Sequence, residues 1–98
     1  MRKAAIYPGT FDPLTLGHVD VIERVAAIFD RIVLAIVTIP PRKSPMFSLD
    51  ERMAMARESL RGLPNVEVES FDGLLVNYAR RKDIHVLVRG IRAYSDFE

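Results

Sequence analysis

The sequence predicts an α/β domain built around a mostly parallel β-sheet. Short apolar runs alternate with helical patterns in the order β-α-β-α-β-α-β, and most of the strand candidates are continuously apolar, as in strands buried on both faces. There is no internal repeat, low-complexity tract or linker, which favours one domain. Parallel strands joined in this way need right-handed crossovers, and their ligands bind beyond the carboxyl ends of the strands.

The first strand and the first helix flank a turn that contains glycine. Residues 4–7 are apolar throughout and predict a buried strand. Residues 19–29 predict a helix, because apolar side chains recur there at spacings of three and four. This apolar stripe consists of Val19, Ile22, Ala26 and Phe29.

The middle of the chain repeats the alternation of strand and helix. Residues 32–37 are apolar and rich in β-branched side chains, which predicts a second buried strand. After a proline-containing loop, Ser48 and Glu51 have the spacing of a capping box, which predicts a helix that ends near Leu60. Residues 66–70 alternate between apolar and polar, a pattern typical of a strand with one solvated face at a sheet edge.

The end of the chain predicts one more helix and one more strand. Asp72 is expected to cap the third helix, and residues 86–88 are the fourth strand candidate. Arg89 and Arg92 follow directly beyond the carboxyl end of that strand. Residues 95–98 again have capping-box spacing, so we expect this chain to be the front part of something longer.

The composition narrows the possible functions. The 98 residues are 49% hydrophobic and 28% charged, which is an ordinary globular balance. A net charge of +1 provides no global field that would recruit nucleic acid or a membrane, so any anion must bind locally. The absence of cysteine excludes thiolate metal sites, and the two histidines have no partners at metal-ligand spacing. The apolar runs are too short for a signal peptide or a membrane span, so we expect a cytoplasmic protein.

The stretch 9–18, between the first strand and the first helix, predicts a phosphate site. Backbone N–H groups point outward at a helix N-terminus, and the helix dipole favours an anion. Gly9 and Gly17 would let a ligand approach the backbone, Thr10 adds a hydroxyl donor, and His18 can bind a phosphoryl oxygen. A plain turn whose histidine only opens the helix is the alternative. The phosphate site is favoured because three of the four loops at this sheet edge carry suitable donors.

Several segments match a known family in register. They are residues 7–13, 15–18, Lys43, 45–47, 51–52, 89–92 and 96–98. With these segments the whole chain resembles the bacterial phosphopantetheine adenylyltransferases. These enzymes belong to the nucleotidyltransferases that carry a T/H-x-G-H motif on a Rossmann-like parallel sheet with helices on both faces. The family fold continues beyond Glu98, so residues 1–98 would be the front part of a nucleotidyltransferase domain, apparently truncated.

The resemblance implies transfer of the adenylyl group of ATP to 4′-phosphopantetheine, giving dephospho-coenzyme A and pyrophosphate, with Mg²⁺ present. It also implies a homo-oligomer, since relatives form hexamers. In the family the substrate phosphate attacks the α-phosphorus directly. The absence of cysteine, and of a serine beside a recognisable base, agrees with this. We expect the 98-residue piece alone to lack full activity.

The same resemblance assigns roles to individual residues. His18 would stabilise charge on the α-phosphoryl group, Thr10 would contact both substrates, and Lys43 would align the attack; these three are the catalytic candidates. The residues implied for the acceptor substrate are Thr10, Lys43, Leu75 and Arg89. Those implied for ATP are Thr10, Phe11, His18, Gly90, Ile91 and Arg92.

Simpler interpretations stay open for several of these residues. Thr10 could only stabilise a turn, Lys43 and Arg89 could be solvated cations, and core packing explains Leu75 equally well. Arg42 competes with Lys43 for the same role, although the register counted back from Phe47 favours Lys43. Two other functions also stay open: another T-x-G-H nucleotidyltransferase, and a non-catalytic nucleotide-binding module.

Overall fold

A computed structural model describes residues 3–38 and 44–89, and in these residues it confirms the predicted α/β class with a parallel sheet. The described strands are β1 (Ala4–Gly9), β2 (Arg31–Val37), β3 (Val66–Phe71) and β4 (Val86–Leu87). The described helices are α1 (Leu16–Ala26), α2 (Leu49–Leu60) and α3 (Leu75–Lys82). None of these three helices is long and apolar enough to cross a bilayer.

The order of the strands in the sheet is β3-β2-β1-β4, and every pairing is parallel. The chain moves outward from β1 to β3 and then crosses back, so that β4 pairs with the other side of β1. The strand order therefore reverses between β1 and β4. In sheets of this kind the crevice at such a reversal is where ligands bind, at the carboxyl ends of the strands.

The helices cover both faces of the sheet, because successive residues of β2 pack on opposite sides. Leu34 lies in the hydrophobic cluster that contains Ile22 of α1 and Leu60 of α2. Val33 lies in a second cluster with Tyr78 of α3. The two neighbours in sequence thus contact different helices, which explains why residues 32–36 are apolar without alternation.

The predicted bounds of α1 were wrong at both ends. The helix begins at Leu16 rather than at residue 19, because Thr15 and His18 form a reciprocal capping box. Glutamate or glutamine is the usual partner in this motif, so a histidine there hid the start of the helix. The helix ends at Ala26, and the backbone N–H groups of Ile28 and Phe29 both donate to the Val25 carbonyl in the turn that follows.

Two further predictions need correction, whereas α2 has the predicted capping box of Ser48 and Glu51. Asp72 does not cap α3: the N-cap is Leu74, and no side chain caps this helix. Gly73, at a φ of 78°, turns the chain between them and moves the helix start away from the carboxylate. The first strand is also longer than predicted, since Gly9 still pairs with β2.

A polar network joins α3 to β3. The Tyr78 hydroxyl and the Lys82 ammonium donate to the two carboxylate oxygens of Glu69, at 2.6 and 2.8 Å. These hydrogen bonds lower the pKa of Glu69 below its ordinary value of 4.5, and the bond from Lys82 has the largest effect. Glu67 lies on the same strand as Glu69, and Arg31 of β2 donates to it twice, at 2.7 and 3.0 Å. This pair lowers the pKa of the Glu67 carboxyl as well.

Replacing Ile22 with alanine should lower the free energy of unfolding by about 2–5 kcal/mol, because its side chain is fully buried and a cavity would remain. Ile28→Ala is the matched control, since this isoleucine is 70% exposed and should change stability by no more than about 0.5 kcal/mol. Denaturant unfolding measures both. Equal losses in the two variants would contradict the assignment of Ile22 to the core.

Stability should decline as the pH falls below about 4.5, partly through Glu69. Because the folded state lowers the pKa of this carboxyl, its contribution is complete above 4.5 and disappears as the pH falls through the folded-state pKa. Glu69→Gln should therefore flatten the acid limb of a plot of unfolding free energy against pH. Glu58→Gln, at an exposed helix position, is the matched control. Identical slopes for Glu69→Gln and the wild type would refute the assignment.

Candidate functional site

A cleft of about 440 Å³ opens at the carboxyl end of β1, beside the reversal of strand order. Its walls come from the end of β1, the turn that follows and the first turn of α1. The lining residues are Tyr7, Pro8, Gly9, Thr10, Phe11, Asp12, Pro13 and His18. The fold therefore brings together three of the residues predicted from the sequence, Thr10, Phe11 and His18, at a helix N-terminus.

His18 is held in one orientation by the N-terminal cap of α1. The backbone N–H of Thr15 donates to Nδ1 of His18 at 2.9 Å, and the Thr15 hydroxyl lies 3.0 Å from the same nitrogen. In return, the backbone N–H of His18 points to the Thr15 hydroxyl oxygen at 3.3 Å. Because Nδ1 accepts a backbone hydrogen bond, the proton of the neutral ring is on Nε2. His18 thus offers a single N–H donor from Nε2.

Burial lowers the pKa of His18 from its ordinary value of 6.5, so the imidazole is neutral at physiological pH. The rings around it also limit its movement. The Phe11 ring packs edge-on against the imidazole, with 5.0 Å between centroids, and meets Tyr7 in the same way at 5.3 Å. A neutral and fixed donor is suited to a phosphoryl oxygen, because it needs no reorganisation when charge develops there.

Gly9 has a packing role, and its predicted close approach to a ligand stays a prediction. A Cβ atom at this position would lie 2.9 Å from the Phe11 ring, so the glycine lets that ring pack against β1. Phe11 itself is buried and has a φ of 48°. At Gly17 a Cβ would meet only the Thr15 hydroxyl, at an ordinary contact distance of 3.7 Å. Steric crowding within the described residues therefore requires glycine at the first position but not at the second.

Two residues to which the sequence analysis assigned no role connect the cleft to the rest of the domain. The carboxylate of Asp12 accepts hydrogen bonds from the backbone N–H groups of Met46 and Phe47, at 2.6 and 2.7 Å. Arg52 of α2 is 2% exposed and donates to the carbonyl of Thr10 at 2.9 Å. The turn after β1 is thus tied to the start of α2 from both sides.

Only one of these two residues left a recognisable signal in the sequence. Arg52 stands four residues before Ala56 and eight before Leu60, both of which are buried. It therefore lies in phase with the apolar face of α2, where an arginine must find hydrogen-bond partners inside the protein. The partners of Asp12, which are more than thirty residues away, have no such signal.

Arg89 follows β4 at the same edge of the sheet as the cleft. The backbone N–H of its neighbour Val88 donates to the Ile6 carbonyl of β1 at 2.8 Å, and Val88 packs on the cluster that contains Phe11. Leu75, at the start of α3, is half-buried and packs against the cluster of Tyr78, as the core interpretation expects. The remaining predicted site residues lie outside the described part of the chain: Lys43 and its rival Arg42, Gly90, Ile91 and Arg92.

The chain is similar to known proteins in sequence and in fold. The sequence profile described as cytidylyltransferase-like matches residues 6–98. The chain is 53% identical over 96 residues to a phosphopantetheine adenylyltransferase of Carboxydothermus hydrogenoformans, covering 98% of this chain and 59% of the relative. It is 56% identical over 98 residues to the enzyme of that name from Anaeromyxobacter dehalogenans, covering 100% of this chain and 59% of the relative. It therefore spans about three-fifths of the length of these curated relatives.

The fold recurs in solved structures. The crystal structure of a NadR protein in complex with NAD and AMP-PNP has a TM-score of 0.68 at 23% identity, over 85% of this chain and 26% of that one. At this level of identity the likeness establishes the fold alone. The resemblance inferred from the motifs is confirmed by the profile match and by the curated relatives. A match that extends from β1 to the last residue, on a sheet whose strand order reverses beside the His18 cleft, shows that this chain belongs to the cytidylyltransferase-like family.

Proposed function

We propose that the protein transfers the adenylyl group of ATP to 4′-phosphopantetheine, forming dephospho-coenzyme A and releasing pyrophosphate. The observation that carries the proposal is the fixed Nε2–H donor of His18, which stands in the first turn of α1 beside Thr10. The choice of acceptor is supported by the relatives, which are named phosphopantetheine adenylyltransferases at 53% and 56% identity.

The proposed reaction is a direct displacement at the α-phosphorus of ATP. A phosphate oxygen of the acceptor forms a bond to this phosphorus while the bond to the departing pyrophosphate oxygen breaks. Negative charge then increases on the non-bridging oxygens of the α-phosphoryl group. The Nε2–H of His18 and the N–H groups at the start of α1 would stabilise this charge, and the cleft would align the two reactants.

The neutral form of His18 suits this role. Protonation of Nδ1 would remove the acceptor that holds the backbone N–H of Thr15. The ring would then lose the bond that orients it, and the cap of α1 would be weakened. A donor that stays neutral keeps both its direction and its place in the helix. Burial lowers the pKa of His18, and this shift would therefore favour helix capping and catalysis together.

We extend the proposal to the other residues of the family pattern. Thr10 is exposed at the cleft and would contact both substrates, and Phe11 would present its backbone to ATP. Lys43, Leu75 and Arg89 would serve the acceptor. Three further residues would serve ATP: Gly90, Ile91 and Arg92. Assembly into a homo-oligomer stays a prediction.

Mg²⁺ would enter this site with the nucleotide. In residues 3–38 and 44–89 no group of three or more histidine and acidic side chains could hold a metal ion. Asp12 lines the cleft, but both of its carboxylate oxygens already accept backbone N–H groups. Mg²⁺ commonly binds to substrate phosphates and water rather than to an all-protein cage. Bound in that way, it would neutralise part of the triphosphate charge.

The proposed function can be tested with the full-length gene product. Pyrophosphate release should require both ATP and 4′-phosphopantetheine, and dephospho-coenzyme A should form in equal amount. Nicotinate mononucleotide in place of the acceptor should give no turnover. Release of pyrophosphate only with another acceptor would overturn the choice of substrate. ATP binding without turnover with any acceptor would support a non-catalytic module instead.

Substitution of His18 can separate helix capping from catalysis. His18→Glu should keep the cap, because glutamate at this position completes a capping box with Thr15, but a carboxylate has no N–H donor. We expect kcat to fall by about 10²–10³-fold with an unfolding midpoint close to that of the wild type. His85→Glu, at an exposed histidine outside the cleft, is the control and should leave kcat unchanged. Wild-type kcat in His18→Glu would refute the proposed role.

A further inference from the structure

We propose that Arg52 is a positioning residue that sets the place of the turn after β1 relative to the segments on both sides of the loop after β2. This inference rests on the proposed function, since it concerns the residues assigned there to the substrates. Arg52 lies in a segment that matches the family, residues 51–52, but the resemblance assigned it no role. It follows from where the guanidinium lies and from what it contacts.

Arg52 is buried to an unusual degree for an arginine. Only 2% of its surface is exposed, although the preceding residues of the same helix, Asp50 and Glu51, are exposed and charged. Lysine and arginine are almost never fully buried unless they are paired. The described partners of Arg52 are backbone carbonyls, so its burial is compensated by the main chain of the site.

The three carbonyls belong to three different segments. One nitrogen, Nη1, donates to Thr10 at 2.9 Å and to Val37 at 3.1 Å. Nε donates to Phe47 at 3.2 Å. Thr10 lies in the turn after β1, Val37 is the last residue of β2, and Phe47 precedes the cap of α2. A guanidinium is planar and rigid, so these bonds hold the three segments at defined separations.

Two hydrogen bonds fix the backbone of Phe47. Its carbonyl accepts a hydrogen bond from Arg52, and its backbone N–H donates to the carboxylate of Asp12 at 2.7 Å. Asp12 itself belongs to the turn that carries Thr10. Arg52 and Asp12 thus form a closed set of contacts between that turn and the chain just before α2.

This arrangement has a direct consequence for the proposed reaction. Lys43, the residue assigned to the acceptor phosphate, lies in sequence between Val37 and Phe47, and Arg52 contacts both of these residues. Thr10, assigned to both substrates, is the third contact. Arg52 therefore controls the spacing between the Thr10 turn and the residues that flank the segment of Lys43 in sequence. An error of about 1 Å in such alignment can lower a rate by about 10²-fold.

The test is a double-mutant cycle between Arg52 and Thr10 in the full-length protein. Arg52→Met keeps the length of the side chain but removes the donors, and we expect kcat to fall by about 100-fold. If Arg52 acts through Thr10, adding Thr10→Ala should lower kcat by clearly less than the product of the two single effects. Arg57→Met, an exposed arginine on the same helix, is the control and should keep wild-type kcat.

A purely structural role would give different results. Arg52→Met would then lower the unfolding temperature but leave kcat per folded molecule within about twofold of wild type, or its effect would multiply fully with that of Thr10→Ala. Either result would overturn the proposal. If Arg52→Met does not fold, Arg52→Lys replaces it in the same cycle. Lysine keeps the charge but is a point donor that cannot span three carbonyls, so kcat should still fall by about tenfold. Wild-type kcat in Arg52→Lys would count against the proposal.

Failure of the proposed function can be distinguished from failure of the positioning role of Arg52. If the wild type does not use 4′-phosphopantetheine, the same cycle can be measured on the Kd of ATP by calorimetry. Coupling between Arg52 and Thr10 in ATP affinity would then support positioning even though the acceptor was wrongly assigned. An ATP affinity that responds to neither Arg52 variant would overturn the positioning role independently.

Discussion

The central position of β1 is the constraint on which the rest of the structure depends. This strand pairs with β2 on one side and with β4 on the other, so both of its edges are occupied and both of its faces are buried. The strand order must therefore reverse next to it. A crevice at the carboxyl ends of the strands is typical of such a reversal, and the cleft lies at the carboxyl end of β1. The cleft, α1 and the strand end that leads to Arg89 all meet there.

Helix capping and the proposed chemistry use the two nitrogens of one imidazole at this crevice. The first N–H groups of a helix have no partners within the helix, and a side chain or a ligand must satisfy them. Thr15 and His18 satisfy each other across the start of α1, and this cap uses Nδ1 of the imidazole but not Nε2. Helix N-termini of this kind favour an anion. In the proposed function, a residue that stabilises the fold would therefore also bind the phosphoryl group.

Arg52 and Asp12 also combine two roles, because they satisfy backbone groups of the loops and fix the positions of those loops. Carbonyl and N–H groups lose their ladder partners where strands end, and burying them unpaired would cost free energy. The guanidinium of Arg52 donates to the carbonyls of Thr10, Val37 and Phe47. The Asp12 carboxylate accepts hydrogen bonds from N–H groups of the segment before α2. Satisfying these groups also fixes the walls of the cleft.

The sequence by itself determined the features that depend on neighbouring residues. Apolar periodicity and β-branched runs identified the seven elements, Ser48 and Glu51 marked the start of α2, and the glycine turn before His18 located the cleft. These signals are local, because hydrogen bonds within a helix turn and side-chain alternation along a strand span only a few residues. Where a local signal was unusual, as with histidine in the cap of α1, the boundary was misplaced.

Only the tertiary structure decided the features that depend on distant residues. It put β1 at the centre of the sheet and showed that Gly9 makes room for Phe11 rather than only for a ligand. It also joined Arg52 to the Thr10 carbonyl, 42 residues away along the chain. No pattern within a short window contains such a contact, because chain reversal and packing bring the two groups together. Periodicity and turn residues therefore set the class of the fold and the place of the site, whereas packing set the direction of each donor.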